Sequence, residues 1–119
     1  LLFDTGHAYF GGATDPAVLL SLLRRHAARV VHVHCKDVRP ALIAKARNDG
    51  WSFLQGVLAG TFTVPGDGAI DYDAVLGVLH DAGYQGWLVV EAEQDPAVAP
   101  SYRYAKKGYE TVKRIVETY

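Results

Sequence analysis

Strand-like and helix-like segments alternate along nearly the whole chain, and the strand-like runs are apolar rather than strictly alternating. One strand plus one helix recurs at intervals of roughly 30 residues, the usual size of such a unit. These observations predict an α/β fold of parallel strands joined by crossover helices. Four such units are half of a (β/α)8, or TIM, barrel, which takes about 250 residues. The chain has 119 residues, contains no methionine and opens inside the apolar run Leu1-Leu2-Phe3. The reading is therefore the C-terminal half of such a barrel over residues 1–119, with the N-terminal half absent. The rival is a small open α/β sheet complete in itself.

Leu1 to Phe3 is a short strand ending at Asp4, and Thr5-Gly6-His7 reads as a loop. Asp15 is a helix N-cap with Pro16 at the first helical position. Val18, Leu19, Leu22 and Leu23 follow at helical spacing, and Arg24-Arg25-His26 place positive charge in the last turn. Arg29 to Lys36 is a β-branched strand through Val30, Val31 and Val33. Residues 38–60 tend to helix after Pro40, stop at Asn48-Asp49-Gly50 and resume in an amphipathic piece from Trp51 to Leu58. Thr61 to Val64 is the next strand, closed by the turn Pro65-Gly66-Asp67-Gly68. Asp71 or Asp73 caps a helix that buries Val75, Leu76, Val78 and Leu79 and ends at Ala82-Gly83. Gly86 to Glu93 is the last strand, and Pro100-Ser101 opens a helix to Tyr119.

Composition narrows the function. Twelve basic residues face 13 acidic ones and half the chain is apolar, which excludes a basic nucleic-acid coat and a charged disordered tail. No apolar run approaches the roughly 18 residues of a membrane span, and no secretory signal is present. A single cysteine excludes an internal disulfide framework and suits a reducing compartment, the cytoplasm.

Polar residues gather where the strands end: Asp4 and His7 after the first, His32, His34, Lys36 and Asp37 along or beyond the second, Asp67 after the third, Glu91 and Glu93 at the fourth. In parallel α/β folds these ends open on one face, and active sites sit there. Charge in the exit of an apolar strand is costly unless compensated, and a divalent cation is the simplest compensation. Side-chain alternation puts His32, His34 and Lys36 on one strand face and Trp87, Val89, Glu91 and Glu93 on another. If both faces point inward, His34 and Glu91 converge. Carboxylates with an imidazole suit Mn, Co, Fe or Mg better than a thiolate zinc site.

Plainer readings apply residue by residue. A lone Asp at a strand end is more often a cap or turn residue. His32 reads as a packed layer below the site, and His26 and His80 as helix-surface residues. Glu93 reads as a solvated charge or the partner of a lysine. Cys35 points away from His34 and reads as a buried small hydrophobe. Gly66-Asp67-Gly68 alone is usually only a turn.

Five stretches together resemble the inosose dehydratase family of the xylose isomerase-like barrel superfamily. They are Asp4-Thr5-Gly6-His7, the run His32 to Pro40 (HVHCKDVRP), Gly50-Trp51-Ser52-Phe53, the run Phe62 to Gly68 (FTVPGDG), and the run Gly83 to Pro96 (GYQGWLVVEAEQDP). The resemblance covers nearly the whole chain in order. It implies a lyase of myo-inositol catabolism that removes water from 2-keto-myo-inositol, using a divalent metal (Mn or Co foremost, Mg, Fe or Zn otherwise) held by four strand-end residues. Three of them map to Asp4, His34 and Glu91. The fourth, a glutamate on an earlier strand, is expected upstream of Leu1. His7, Lys36, Asp37 and Arg39 would face the substrate, Asp67 would bond a ring hydroxyl, and Lys36 or His7 would stabilise negative charge or donate a proton; His7, Lys36 and Glu91 form the expected catalytic set. The implied partner is a small polyol or ketone, not nucleic acid or membrane, and a homo-oligomer is expected. The alternatives are a metal-dependent sugar isomerase or epimerase of the same superfamily, an apurinic endonuclease, which the balanced charge disfavours, and an inactive half-barrel that self-associates.

Overall fold

The computed structural model describes residues 1–119. Its parallel sheet has the order β1 (Leu2–Asp4), β2 (His32–Cys35), β5 (Trp87–Val90), with Asp4 opposite His34 and His34 opposite Val89. Helices α1 (Thr5–Phe10), α2 (Pro16–His26), α5 (Tyr72–Asp81) and α6 (Ser101–Val116) accompany these strands. One sheet face carries Phe3, Val33 and Cys35, all buried in a core with Leu19, Leu23, Val75, Leu76, Leu79, Val112 and Ile115. The other face carries Leu2, His32, Trp87, Asp4, His34 and Val89. Its apolar members are not covered: Leu2 is 48% and Trp87 77% exposed. The apolar strands are thus buried on one face, not on both.

Several expectations change. Thr5 to Phe10 is helical rather than a loop, because Asp4 is both the last strand residue and the N-cap, its carboxylate accepting the His7 N–H at 2.8 Å. A single 3-10 turn, Ala27–Arg29, occupies the expected start of the second strand, which begins only at His32. The Thr61–Val64 segment does not join the parallel sheet. Its core, β4 (Phe62–Thr63), pairs antiparallel with β3 (Asp37–Val38). The reason is local: α3 (Pro40–Asn48) and α4 (Phe53–Ala59) pack on each other and return the chain to its starting point, where the Arg39 N–H donates to Thr61 O at 2.9 Å. The parallel set is therefore three strands. Asp71, not Asp73, caps α5, accepting the Ala74 N–H at 3.0 Å. No helix is long and apolar enough to cross a membrane.

Candidate metal centre

Parallel register builds the centre. Asp4 and His34 are partners on neighbouring strands, so their side chains stand together on the open face. Asp4 spends Oδ1 on its helix cap, leaving Oδ2 at 3.4 Å from His34 Nδ1. The β2–β5 ladder continues one residue beyond the strand, Glu91 N–H donating to Cys35 O at 3.4 Å. That contact sets Glu91 Oε2 at 3.3 Å from the same His34 Nδ1. One ligand atom from each of Asp4, His34 and Glu91 lies within 4.8 Å of the others, an arrangement that can hold a metal ion.

Lys36 enters the cluster from below. Its side chain is 1% exposed, and Nζ lies 2.9 Å from Glu93 Oε2, 3.0 Å from Glu91 Oε2 and 3.5 Å from Asp4 Oδ2. Burial alone pulls the ammonium toward neutrality, but the Glu93, Glu91 and Asp4 carboxylates outweigh it and hold Lys36 above its ordinary value, so it stays charged. Nζ also meets His7 Nε2 at 2.9 Å. An ammonium only donates, so His7 Nε2 accepts and the ring proton sits on Nδ1.

Two observations fit a divalent cation. Asp4, Glu91 and Glu93 bring three negative charges against the one positive charge of Lys36, leaving two uncompensated. Glu91 Oε2 is moreover buried, with the Lys36 ammonium at 3.0 Å but no aligned hydrogen bond, so a lone pair is left for coordination. The donors are oxygen and imidazole nitrogen, not sulfur. Cys35 lies on the opposite, covered face, and burial followed by the nearby Asp4 charge pushes its thiol up to about 12.

Thr5 fixes the end of β2 and was not legible as a site residue. Its fully buried hydroxyl donates to Lys36 O at 2.8 Å and accepts from the Lys36 N–H at 3.1 Å. Its remaining acceptor position takes the Tyr72 hydroxyl at 2.8 Å, which exhausts the capacity of the group. A threonine between Asp4 and Gly6 carries no sequence signal of this role.

Asp37 does not face the cluster as expected. Its fully buried carboxylate accepts the backbone N–H groups of Val38 at 2.8 Å, Ile70 at 2.9 Å, Gly68 at 3.2 Å and Gly66 at 3.3 Å. Burial raises its proton affinity in spite of these four donors. It anchors the 65–70 turn and has no surface to offer a substrate. Arg39 and Asp67, both expected on the substrate, bind each other, Nη2 to Oδ2 at 2.6 Å. Arg39 also donates to Gly60 O at 2.8 Å, and Asp67 accepts from Thr63 Oγ1 at 2.8 Å and from Lys107 on α6. These contacts tie the neck of the α3–α4 segment to the last helix.

His32 lies one layer below His34, the rings edge to face at 5.4 Å. Beside His7 stands an aromatic wall: Phe53 stacks on its ring at 5.8 Å and 20°, and Phe62 tilts against it at 5.3 Å. Phe53 is the first residue of α4, oriented by a capping box in which Ser52 Oγ accepts the Gln55 N–H and Gln55 Oε1 accepts the Ser52 N–H.

A family model described as xylose isomerase-like TIM barrel matches residues 1–115. The inosose dehydratase of Erwinia tasmaniensis is 53% identical over 114 residues, 96% of this chain and 38% of that protein. The inosose dehydratase of Klebsiella pneumoniae strain 342 is 53% identical over 113 residues, 95% of this chain and 38% of its own length. The rhizopine catabolism protein MocC of Rhizobium meliloti is 53% identical over 115 residues, 97% of this chain and 34% of its own. The chain thus spans a little over a third of the length of the curated relatives it matches.

Proposed function

The chain belongs to the xylose isomerase-like TIM barrel family, and on that premise we propose that it is the C-terminal arc of a dehydratase barrel whose substrate is inosose, 2-keto-myo-inositol. The arc is supported by its three parallel strands, three-eighths of the eight that close such a barrel, which agrees with the 38% share of the relatives' length. The uncovered face bearing Leu2, His32 and Trp87 is then the barrel interior, which in this fold is filled by side chains from all strands. The activity is supported by the names of the relatives at 53% identity.

The observation that carries the mechanism is the convergence of Asp4, His34 and Glu91 beside the charged Lys36 at the C-terminal ends of parallel strands. These three residues would hold a divalent ion, Mn or Co, which supplies Lewis-acid polarisation of the ketone. With Asp4 and Glu91 committed as ligands, Glu93 is the carboxylate left to take the proton from the carbon next to the carbonyl. The electron pair of that C–H bond forms the enolate double bond. Lys36, a buried cation 2.9 Å from Glu93, offsets negative charge developing on substrate oxygen. The β-hydroxyl leaves with a proton from the Lys36–His7 pair, so the products are water and the enol of the dione. A cytoplasmic reaction is the reading that the single unpaired cysteine, Cys35, supports.

The test is turnover by the full-length protein. Inosose is expected to give the dione absorbance, ketohexoses none; activity is lost with a chelator and returns with Mn2+ or Co2+. Isomerisation of ketohexoses without inosose dehydration would assign the site to a sugar isomerase instead.

A further inference from the structure

His7, which meets Lys36 Nζ at 2.9 Å, is packed by a side chain that neither residue's own element supplies. His7 lies in the first turn of α1, and its side chain is 44% exposed. A ring so exposed changes rotamer on the ps–ns scale unless packing holds it. The packing comes from across the site: the Phe53 ring lies nearly parallel to the imidazole, at 20° and 5.8 Å. Phe53 is itself held edge-on by Phe10 at 5.9 Å and 89° and against Phe62 at 5.8 Å. Phe62 completes the set, with the Lys36 ammonium 5.2 Å from its ring centre. The aromatic cluster therefore reaches both members of the hydrogen bond, with Phe53 on His7 and Phe62 on both.

We infer that Phe53 is a positioning residue. By stacking on His7 it holds Nε2 toward Lys36 Nζ, so that the α3–α4 segment, inserted between β3 and β4 and outside the parallel sheet, sets the alignment of the proton-holding pair. The kinetic consequence rests on the reading given under Proposed function; the structural consequence does not. Phe53 is 45% exposed, so its replacement leaves the core intact.

The test uses the full-length protein labelled with 13C-histidine and loaded with Mg2+, the His7 signal being assigned with His7→Ala. The His7 ring signal is expected upfield in the wild type through the ring current of the stacked phenyl. It should lose the Phe53 share of that displacement in Phe53→Leu and Phe53→Ala, the share of Phe62 remaining, and keep it whole in Phe53→Tyr. With inosose, Phe53→Leu should lower kcat roughly five- to tenfold, the scale of losing one aromatic pair. KM and Mn2+ affinity should stay within about twofold, and Phe53→Tyr should restore the rate. An identical His7 signal in the wild type and both ring-less variants overturns the inference. So does a fall in kcat matched by a fall in Mn2+ affinity or melting temperature, which would make Phe53 merely structural. If the wild type fails to dehydrate inosose, the functional reading fails, and the His7 signal still decides the positioning.

Discussion

Lys36 crosses Gly6 so closely that a Cβ on Gly6 would stand 2.6 Å from the lysine Cγ and 2.9 Å from its Cδ. The missing side chain is what lets the lysine stem lie against the first turn of α1 and deliver Nζ to the carboxylates. Gly6→Ala is expected to destabilise the full-length protein by about 1–3 kcal/mol, as overpacking does. It should also displace the ammonium and reduce turnover. Chemical denaturation of Gly6→Ala, Lys36→Ala and the double variant checks the cause. A clash between these two residues predicts that the double variant recovers part of the loss, with a coupling of about 0.5–3 kcal/mol; strict additivity would place the strain elsewhere.

His34 and Glu91 should each be indispensable for cation binding. Replacing either by Ala is expected to lower Mn2+ affinity by more than about 100-fold, beyond the range seen for outer-sphere partners. Turnover should vanish with it. Titration calorimetry reads the stoichiometry directly. One ion bound per chain in both variants would remove these residues from the ligand set.

Asp67 should make stability sensitive to acid. Burial pushes its carboxyl up, but Lys107, Thr63 and Arg39 outweigh burial and hold it below its ordinary value of 3.8. A depressed folded value means that the unfolded chain takes up the proton first. The contribution is therefore complete at neutral pH and is lost as pH falls below about 4 toward the folded value. Asp67→Asn should cost about 1–2 kcal/mol at pH 7, the scale of hydrogen bonds to charged groups, and progressively less in acid. Denaturation midpoints at pH 7, 4 and 3 for both proteins measure this; a constant gap across that range would contradict it.

Cys35 should be chemically silent. With its thiol pushed up to about 12 and no exposed surface, almost no thiolate exists at pH 8. Iodoacetamide should modify it only in denaturant, at the rate of an ordinary thiol. Mass spectrometry of native and unfolded samples follows the adduct, and rapid native labelling would mean that the covered side of β2 opens.

The alternation of strands and helices, the helix cap at Asp15, the α5 cap narrowed to Asp71 or Asp73, and the convergence of His34 and Glu91 on the condition that their strand faces point inward were legible because each follows from side-chain periodicity or from one local bond. Three features were not. Asp4 serves as strand end and helix cap at once, and a strand–helix junction without a linker looks like a loop. Thr61 to Val64 reads as a strand of the parallel sheet because pairing direction depends on where the intervening helices pack, which periodicity does not encode. Asp37 reads as a ligand for a substrate because a carboxylate beyond a strand end looks alike whether it receives a hydroxyl or the chain's own N–H groups. Thr5 and Phe53 lie in stretches that carry the resemblance, but their roles were not legible, since these arise only from contacts at long sequence separation.

The pinched neck of the α3–α4 excursion has an evolutionary corollary. Arg39 clasps Gly60 and Thr61 across the base of the segment, so everything between is a cassette whose ends stay put when its contents are exchanged. A different insert grafted there would keep its ends beside the strands, but it would have to refill the core position of Ile43 and the Arg47 bond to Phe10 O as well as what leans on His7. A family that must keep one piece of chemistry while diversifying its clientele has, in that clasp, a place to do so.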